Sequence, residues 1–178
     1  MNELKEPGSS LLRRRKFIFP FLSVLIVMLV GSLIFIVPPP IDTQLHETAS
    51  GKYLTVAVTP DITISLDSNS VIAVTKSEPL RVELLQGNAY FDVKNKPADG
   101  HKLEIILGKV RFRDIGTRFS LETIKNGGSL AIMSGQVEMH LDTQIHLIEA
   151  GQRVYFDNLQ LVEKSTIIDV DIAPWRYR

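Results

Sequence analysis

The chain has 178 residues, enough for one ordinary domain and an appendage, and no cysteine, which excludes disulfides and cysteine-based metal or redox centres. Its 20 basic and 20 acidic residues balance overall but not locally: ahead of Phe17, Lys5, Arg13, Arg14, Arg15 and Lys16 face only Glu3 and Glu6, a net of +3, whereas from Ile41 onward 15 basic residues face 18 acidic ones, a net of −3. A weakly acidic main domain lacks the basic face that nucleic acid requires, so no nucleic-acid partner is expected.

Residues 1–16 are a short polar tail. From Phe17 to Pro40 no residue is charged, and Phe17–Val37 is almost wholly Leu, Ile, Val, Phe and Met. At ~1.5 Å per residue, a helix over residues 17–37 crosses the ~30 Å hydrocarbon core and satisfies its own backbone hydrogen bonds. Pro20 lies near the helix start, where its missing N–H costs little, and Pro38, Pro39 and Pro40 stop the helix at the opposite interface. A cleaved signal peptide competes with this reading, but its apolar core is usually roughly 7–15 residues long and ends at a small-residue cleavage site. Here the run is longer and three prolines occupy that place. The expectation is an uncleaved single-pass anchor. Because Arg13, Arg14, Arg15 and Lys16 flank one end alone, the N-terminus is expected in the cytoplasm and the remainder on the far side. Residues 38–50 read as a linker.

From residue 51 to 163 the pattern becomes period two, the signature of half-buried strands. Successive inward sets are Leu54, Val56 and Val58; Ile62, Ile64 and Leu66; Leu80, Val82 and Leu84; and Ala89, Phe91 and Val93. They continue with Leu103, Ile105 and Leu107; Val110 and Phe112; Phe119 and Leu121; Leu130 and Ile132; and Val137, Met139 and Leu141. Ile145 and Leu147, Val154 and Phe156, and Leu159 and Leu161 complete the series. Turn residues separate them, among them Asp67-Ser68-Asn69, Asn126-Gly127-Gly128 and Asp142-Thr143. No stretch after Pro40 has a helical period. The domain is therefore all-β, with a sandwich, a barrel and a β-solenoid all open. Residues 164–178 form a C-terminal segment.

Two stretches repeat. Arg81–Val93 (RVELLQGNAYFDV) and Ser129–Leu141 (SLAIMSGQVEMHL) align at an offset of 48, matching Val82 with Leu130, Leu84 with Ile132, Gly87 with Gly135, Ala89 with Val137 and Phe91 with Met139. Upstream, Ile62 falls on Val110, Ile64 on Phe112, Val71 on Phe119 and Ala73 on Leu121. Gly87 and Gly135 then sit at equivalent corners, where positive φ or close backbone approach is needed. Chance alignment of alternating runs is the competing explanation.

The chain has no Gly-rich phosphate loop, no G-x-S-x-G and no H-E-x-x-H, so no catalytic, cofactor-binding or metal residue is assigned and no enzyme is expected. One cluster has donors suited to a divalent metal: across a three-residue turn at Asp142–Gln144, His140 would face His146 with Glu138 beside them. An ordinary solvated strand face competes with that reading and is preferred. Lys109, Arg111, Arg113 and Arg118 form a basic patch that suits either an acidic partner or simple coverage of a sheet.

Four elements together resemble the FecR family. VTPDITISLDSNSVIAV resembles its strand, "DGS"-type turn and strand; LRVELLQGNAYFDV resembles "V-x-L-x-x-G-x-A-x-F-x-V", carried by Gly87 and Phe91. VRFRDIGTRFSLE resembles "V-x-A-x-G-T-x-F-x-V", carried by Gly116, Thr117 and Phe119. IMSGQVEMHL followed by IEAGQRVYFD resembles "L-x-G-x-V-x-V … L-x-x-G-Q", carried by Gly135, Gly151 and Gln152; Trp175 in IAPWRYR resembles the tryptophan segment that follows. The resemblance implies an antiparallel, solenoid-like β-domain over residues 51–163 whose motif residues are structural. It also implies an inner-membrane protein with a periplasmic domain that senses an outer-membrane receptor and regulates a sigma factor. A tail of some 16 residues is too short for the family's sigma-binding helical domain, and the transporter-contact domain beyond Trp175 is not represented, so both of those partners are in question. Two functions follow: a protein-binding component of transmembrane signalling, or a non-signalling envelope scaffold.

Overall fold

The computed structural model of the chain describes residues 42–94, 103–114, 116–158, 160–168 and 172–177. The apolar run at 17–37 and the Arg13, Arg14, Arg15 and Lys16 cluster lie outside these residues. Among the described residues no helix is long and apolar enough to cross a membrane.

The period-two alternation produces strands throughout. In chain order they are β1 (Asp42–Glu47), β2 (Leu54–Thr59), β3 (Ile62–Leu66), β4 (Val71–Lys76), β5 (Leu80–Gln86), β6 (Asn88–Val93) and β7 (Leu103–Leu107). Then come β8 (Val110–Asp114), β9 (Arg118–Ile124), β10 (Gly127–Ser134), β11 (Gln136–Leu141), β12 (Gln144–Glu149), β13 (Gln152–Asp157) and β14 (Leu161–Thr166). They form two sheets, ordered β1-β4-β5-β7-β8-β11-β12 and β14-β13-β10-β9-β6-β3-β2. Every pairing is antiparallel except β5 with β7. Inward residues of both sheets share one core, so the fold is a two-sheet sandwich, one of the three forms the alternation left open, and not the solenoid-like domain that the family resemblance implied. At its centre Phe91 stacks on Phe119 with ring centroids 4.8 Å apart, and Phe112 meets Phe156 edge-on at 5.4 Å.

The repeat is real, and it exchanges the sheets. β3 and β6 pair in the second sheet, while their counterparts β8 and β11 pair in the first. Conversely, β4 and β5 pair in the first sheet and their counterparts β9 and β10 in the second. The two copies therefore interlock across the core instead of stacking side by side. One part of the sequence alignment is corrected. Ile72 and Val74 are buried on β4, whereas Val71 and Ala73 are only half-buried on the opposite face, so the true matches are Ile72 with Phe119 and Val74 with Leu121. The second copy is one residue shorter in the preceding turn, which aligns Ser70 with Thr117; both are buried polar residues.

Two further expectations change. Residues 42–47, read as linker, form the edge strand β1, paired with β4 from Asp42↔Lys76 to Glu47↔Val71. Ile145 and Leu147, read as inward, are 64% and 47% exposed, while Ile148 is buried. The cause is the turn: Leu141 pairs with Gln144, leaving a two-residue hairpin at Asp142-Thr143 with Asp142 at φ 53°. A one-residue change in register turns every side chain of β12 over.

Gly87 and Gly135 sit where the chain passes from one sheet to the other, with φ of 87° and 84°. A Cβ on Gly87 would lie 2.6 Å from the Ser70 Cα, and one on Gly135 would lie 2.5 Å from the Thr117 Cγ2 and 2.6 Å from the Gly116 carbonyl oxygen. Alanine at either corner therefore carries a left-handed backbone cost of about 1–2 kcal/mol and an overpacking cost of about 1–3 kcal/mol. Gly151, at φ 79° but with no atom nearer than 3.8 Å, carries only the first. Urea denaturation should rank Gly87→Ala and Gly135→Ala as equally and more strongly destabilised than Gly151→Ala; equal midpoints for all three would contradict the close-approach account.

Candidate functional site

The motif residues do not converge on one concavity. Phe91 and Phe119 lie in the core, Thr117 is buried against the Gly135 corner, and Gly116 takes φ 87° in the turn before β9. Gly151 makes the turn before β13, and the Gln152 Oε1 accepts the Glu149 backbone N–H at 3.0 Å. Gly116 and Gly135 also line an open cleft of 460 Å³ with Asp92, Val93, Lys94, Arg118 and Ser134. Within it the Arg118 Nε donates to the Ser134 Oγ at 3.0 Å. These positions shape the fold; none presents a nucleophile beside a base.

The clusters read from the sequence are separated by the register. His140 pairs with Ile145, and His146 with Met139 on the opposite face, so the trio of Glu138, His140 and His146 is split. What remains is a Glu138–His140 contact at 3.2 Å, and among the described residues no group of His, Asp and Glu is placed to hold a metal ion. The basic patch is divided as well: Arg111 and Arg113 lie on β8 in the first sheet, Arg118 on β9 in the second. Glu138, Arg113, Glu104 and Arg81 follow one another as cross-strand partners, an alternating charge row over the outer face of the first sheet. Its best-formed contact joins the Arg81 guanidinium to the buried Glu104, with Nε and one terminal nitrogen each 3.1 Å from Oε2.

The outer face of the second sheet is different, because it is covered. Tyr90 on β6 and Ala131 and Met133 on β10 point away from the main core and are roofed by Ile167, Ile172, Ala173 and Trp175. Pro174–Tyr177 is a short 3-10 turn closed by the Arg176 N–H donating to the Ala173 carbonyl at 3.1 Å. The Arg176 guanidinium carbon sits 3.5 Å over the Tyr90 ring, the Tyr90 hydroxyl donates to the Met133 Sδ at 3.3 Å, and Trp175 lies parallel to Tyr53 at 6.1 Å. The Trp175 Nε1 is enclosed without a hydrogen-bond partner among the described residues. Sequence reasoning missed Tyr90, Ala131 and Tyr53. The signal was there: Ala89-Tyr90-Phe91 and Leu130-Ala131-Ile132-Met133 break the polar alternation, as strands covered on both faces do.

Among the described strands the sheet edges are β1, β12, β2 and β14. β2 and the β13–β14 pair carry register shifts, and β14 also carries Glu163 and Lys164. β1 has acidic residues at both ends and exposes one apolar side chain, Leu45. β12 has a continuous register, no Lys, Arg or Pro, and two exposed apolar side chains. Such an edge invites another strand.

Residues 44–138, more than half of the chain, match the family described as FecR protein. The chain belongs to the FecR family. Its fold also resembles two crystal structures of a candidate anti-sigma factor from Parabacteroides distasonis ATCC 8503. The first has 15% identity and a TM-score of 0.62, covering 72% of this chain and 62% of that one. The second has 16% identity and a TM-score of 0.64, covering 75% and 64%. This chain thus spans less than two thirds of those solved chains. No curated protein matches it. The FecR match ends within β11, so the edge strand β12 and the C-terminal cover lie beyond the matched stretch.

Burial raises the Tyr90 pKa above the ordinary tyrosine value, an effect larger than the opposing pull of the Arg176 cation. A raised pKa means that folding favours the neutral phenol. Its contribution is intact below about pH 10 and is lost as pH rises through the folded value. Fluorescence of the single tryptophan, Trp175, should therefore report loosening of the cover at alkaline pH, and Tyr90→Phe should remove that transition. An unchanged alkaline transition in Tyr90→Phe would place its cause elsewhere.

Proposed function

We propose that this FecR-family chain is a membrane-anchored periplasmic protein that works by binding other proteins, as one component of transmembrane signalling related to sigma-factor regulation and transporter sensing. The observation that carries the proposal is the FecR match over residues 44–138 on a two-sheet β-domain. Its described residues offer edges and faces for docking, and no assembled catalytic group. The anchor is supported by the uncharged run from Phe17 to Pro40, and the orientation by Arg13, Arg14, Arg15 and Lys16. Likeness in fold to the candidate anti-sigma factor supports the regulatory part.

In this reading β1 carries the signal. This strand begins two residues after Pro40 in sequence and is the first of the described strands. Its side chains are mostly exposed, and it is held by backbone pairing to β4, the Asp42–Lys76 ion pair at 3.1 Å and the Thr43–Thr75 hydroxyl contact at 3.0 Å. At its end Thr48 binds both sides of Ser70: its N–H donates to the Ser70 carbonyl and its Oγ1 accepts the Ser70 N–H, each at 2.9 Å. Docking that alters the first sheet would thereby act on the segment next to the anchor.

Alkaline phosphatase fused after Arg178 should be active in cells, and the intact chain recovered from membranes should co-purify a sigma factor together with an envelope protein. An inactive fusion would overturn the orientation. Envelope proteins without a sigma factor would leave the scaffold function and remove the regulatory one.

A further inference from the structure

The exposed apolar residues of β12 coincide with its free backbone groups. Leu141↔Gln144 closes the hairpin, so Gln144, His146 and Ile148 direct their N–H and C=O toward β11. Ile145, Leu147 and Glu149 direct theirs away from it. Two hydrogen bonds bear this out: the Ala150 N–H reaches the Gly135 carbonyl at 3.1 Å on the β11 side, while the Glu149 N–H turns to the Gln152 side chain. The Glu149 donor is thus occupied, leaving Ile145 and Leu147 to present both backbone groups unpaired among the described residues and exposed side chains at the edge.

We infer that β12 is a self-pairing edge whose occupant is the β12 of a second copy of this chain. The sequence Gln144-Ile145-His146-Leu147-Ile148-Glu149 is self-complementary when two copies run antiparallel about a two-fold axis at His146. In that register Ile145 faces the second copy's Leu147, and Leu147 faces its Ile145. These are the residues with free N–H and C=O, so each pair closes two backbone hydrogen bonds and covers apolar surface on the outer face. Thr143 faces the second copy's Glu149, so no like charges oppose each other. His146 faces the second copy's His146 across the two-fold axis. The Glu138–His140 contact borders the apolar pairs on the outer face. β2 and β14 carry register shifts, and β1 is acidic at both ends with one exposed apolar side chain, whereas β12 pairs regularly along its whole length on its covered side and exposes two. A six-residue strand pair is a small interface, so the association is weak and best detected by trapping.

The chain contains no cysteine, so a single introduced one reports without background. At a non-hydrogen-bonded antiparallel pair the Cα atoms lie ~4.5 Å apart, within the ~4.4–6.8 Å that a disulfide spans. The full chain carrying His146→Cys, oxidised in membranes, should therefore form a covalent dimer. Gln144→Cys should not, because the two copies of that position lie on the order of 13 Å apart. In the His146→Cys background, Ile145→Lys with Leu147→Lys places like charges opposite one another and should abolish the crosslink. Ile145→Lys with Leu147→Glu places opposite charges there and should preserve it. Both pairs change exposed positions, so the monomer remains folded. Equal crosslinking at 144 and 146 overturns the proposal, as does loss of the crosslink in both charge variants. Capture of another protein's strand by monomeric chain overturns it as well.

Discussion

The structure depends on two places where backbone meets backbone with no room for a side chain. At Gly87 the chain leaves the first sheet for the second; at Gly135 it returns. Each glycine is pressed against a buried polar residue at the mouth of the preceding turn, Ser70 in one case and Thr117 in the other. These residues also hold the strand that arrives alongside: the Thr48 N–H donates to the Ser70 carbonyl, and the Val93 N–H to the Thr117 carbonyl, each at 2.9 Å. One local device is thus used twice. Because each use moves the chain to the opposite sheet, the copies interlock and enclose a common core, which neither could bury alone.

Much of this was legible in the sequence. The inward residues of β3, β5, β6 and β9 follow strict alternation, and Gly87 and Gly135 stand out because they recur in equivalent contexts. The exchange of sheets was not legible, because period two specifies which residues share a face but not which sheet the face belongs to. The orientation of β12 turned on whether its hairpin has two or three loop residues, and Asp142-Thr143-Gln144 is compatible with both until Asp142 is seen at φ 53°. β1 escaped notice because Asp-Thr-Gln-Leu-His-Glu pairs through its backbone while its side chains remain mostly in solvent.

The surfaces divide accordingly. The first sheet is dressed by alternating charge that includes the Arg81–Glu104 pair, and Arg113, which looked available in sequence, has Glu104 and Glu138 across the strands. The second sheet is roofed by the segment around Trp175, which gives Tyr90 and Met133 the apolar cover that their burial requires. The outermost strands, β1, β12, β2 and β14, are paired on one side only among the described strands. There the same rules of register that built the core decide what a further strand would meet. The residues that resemble FecR motifs are accordingly those of corners, turns and core.

The central claim is that the two copies form one interlocked unit, and hydrogen exchange on the full chain carrying Gly135→Ala tests it most directly. Strain at that corner should lower the protection of β3 to β6 as much as that of β8 to β11, across both sheets, because the core is shared. Loss of protection confined to β8–β11, with β3–β6 unchanged, would mean two stacked and separable units and would contradict the account.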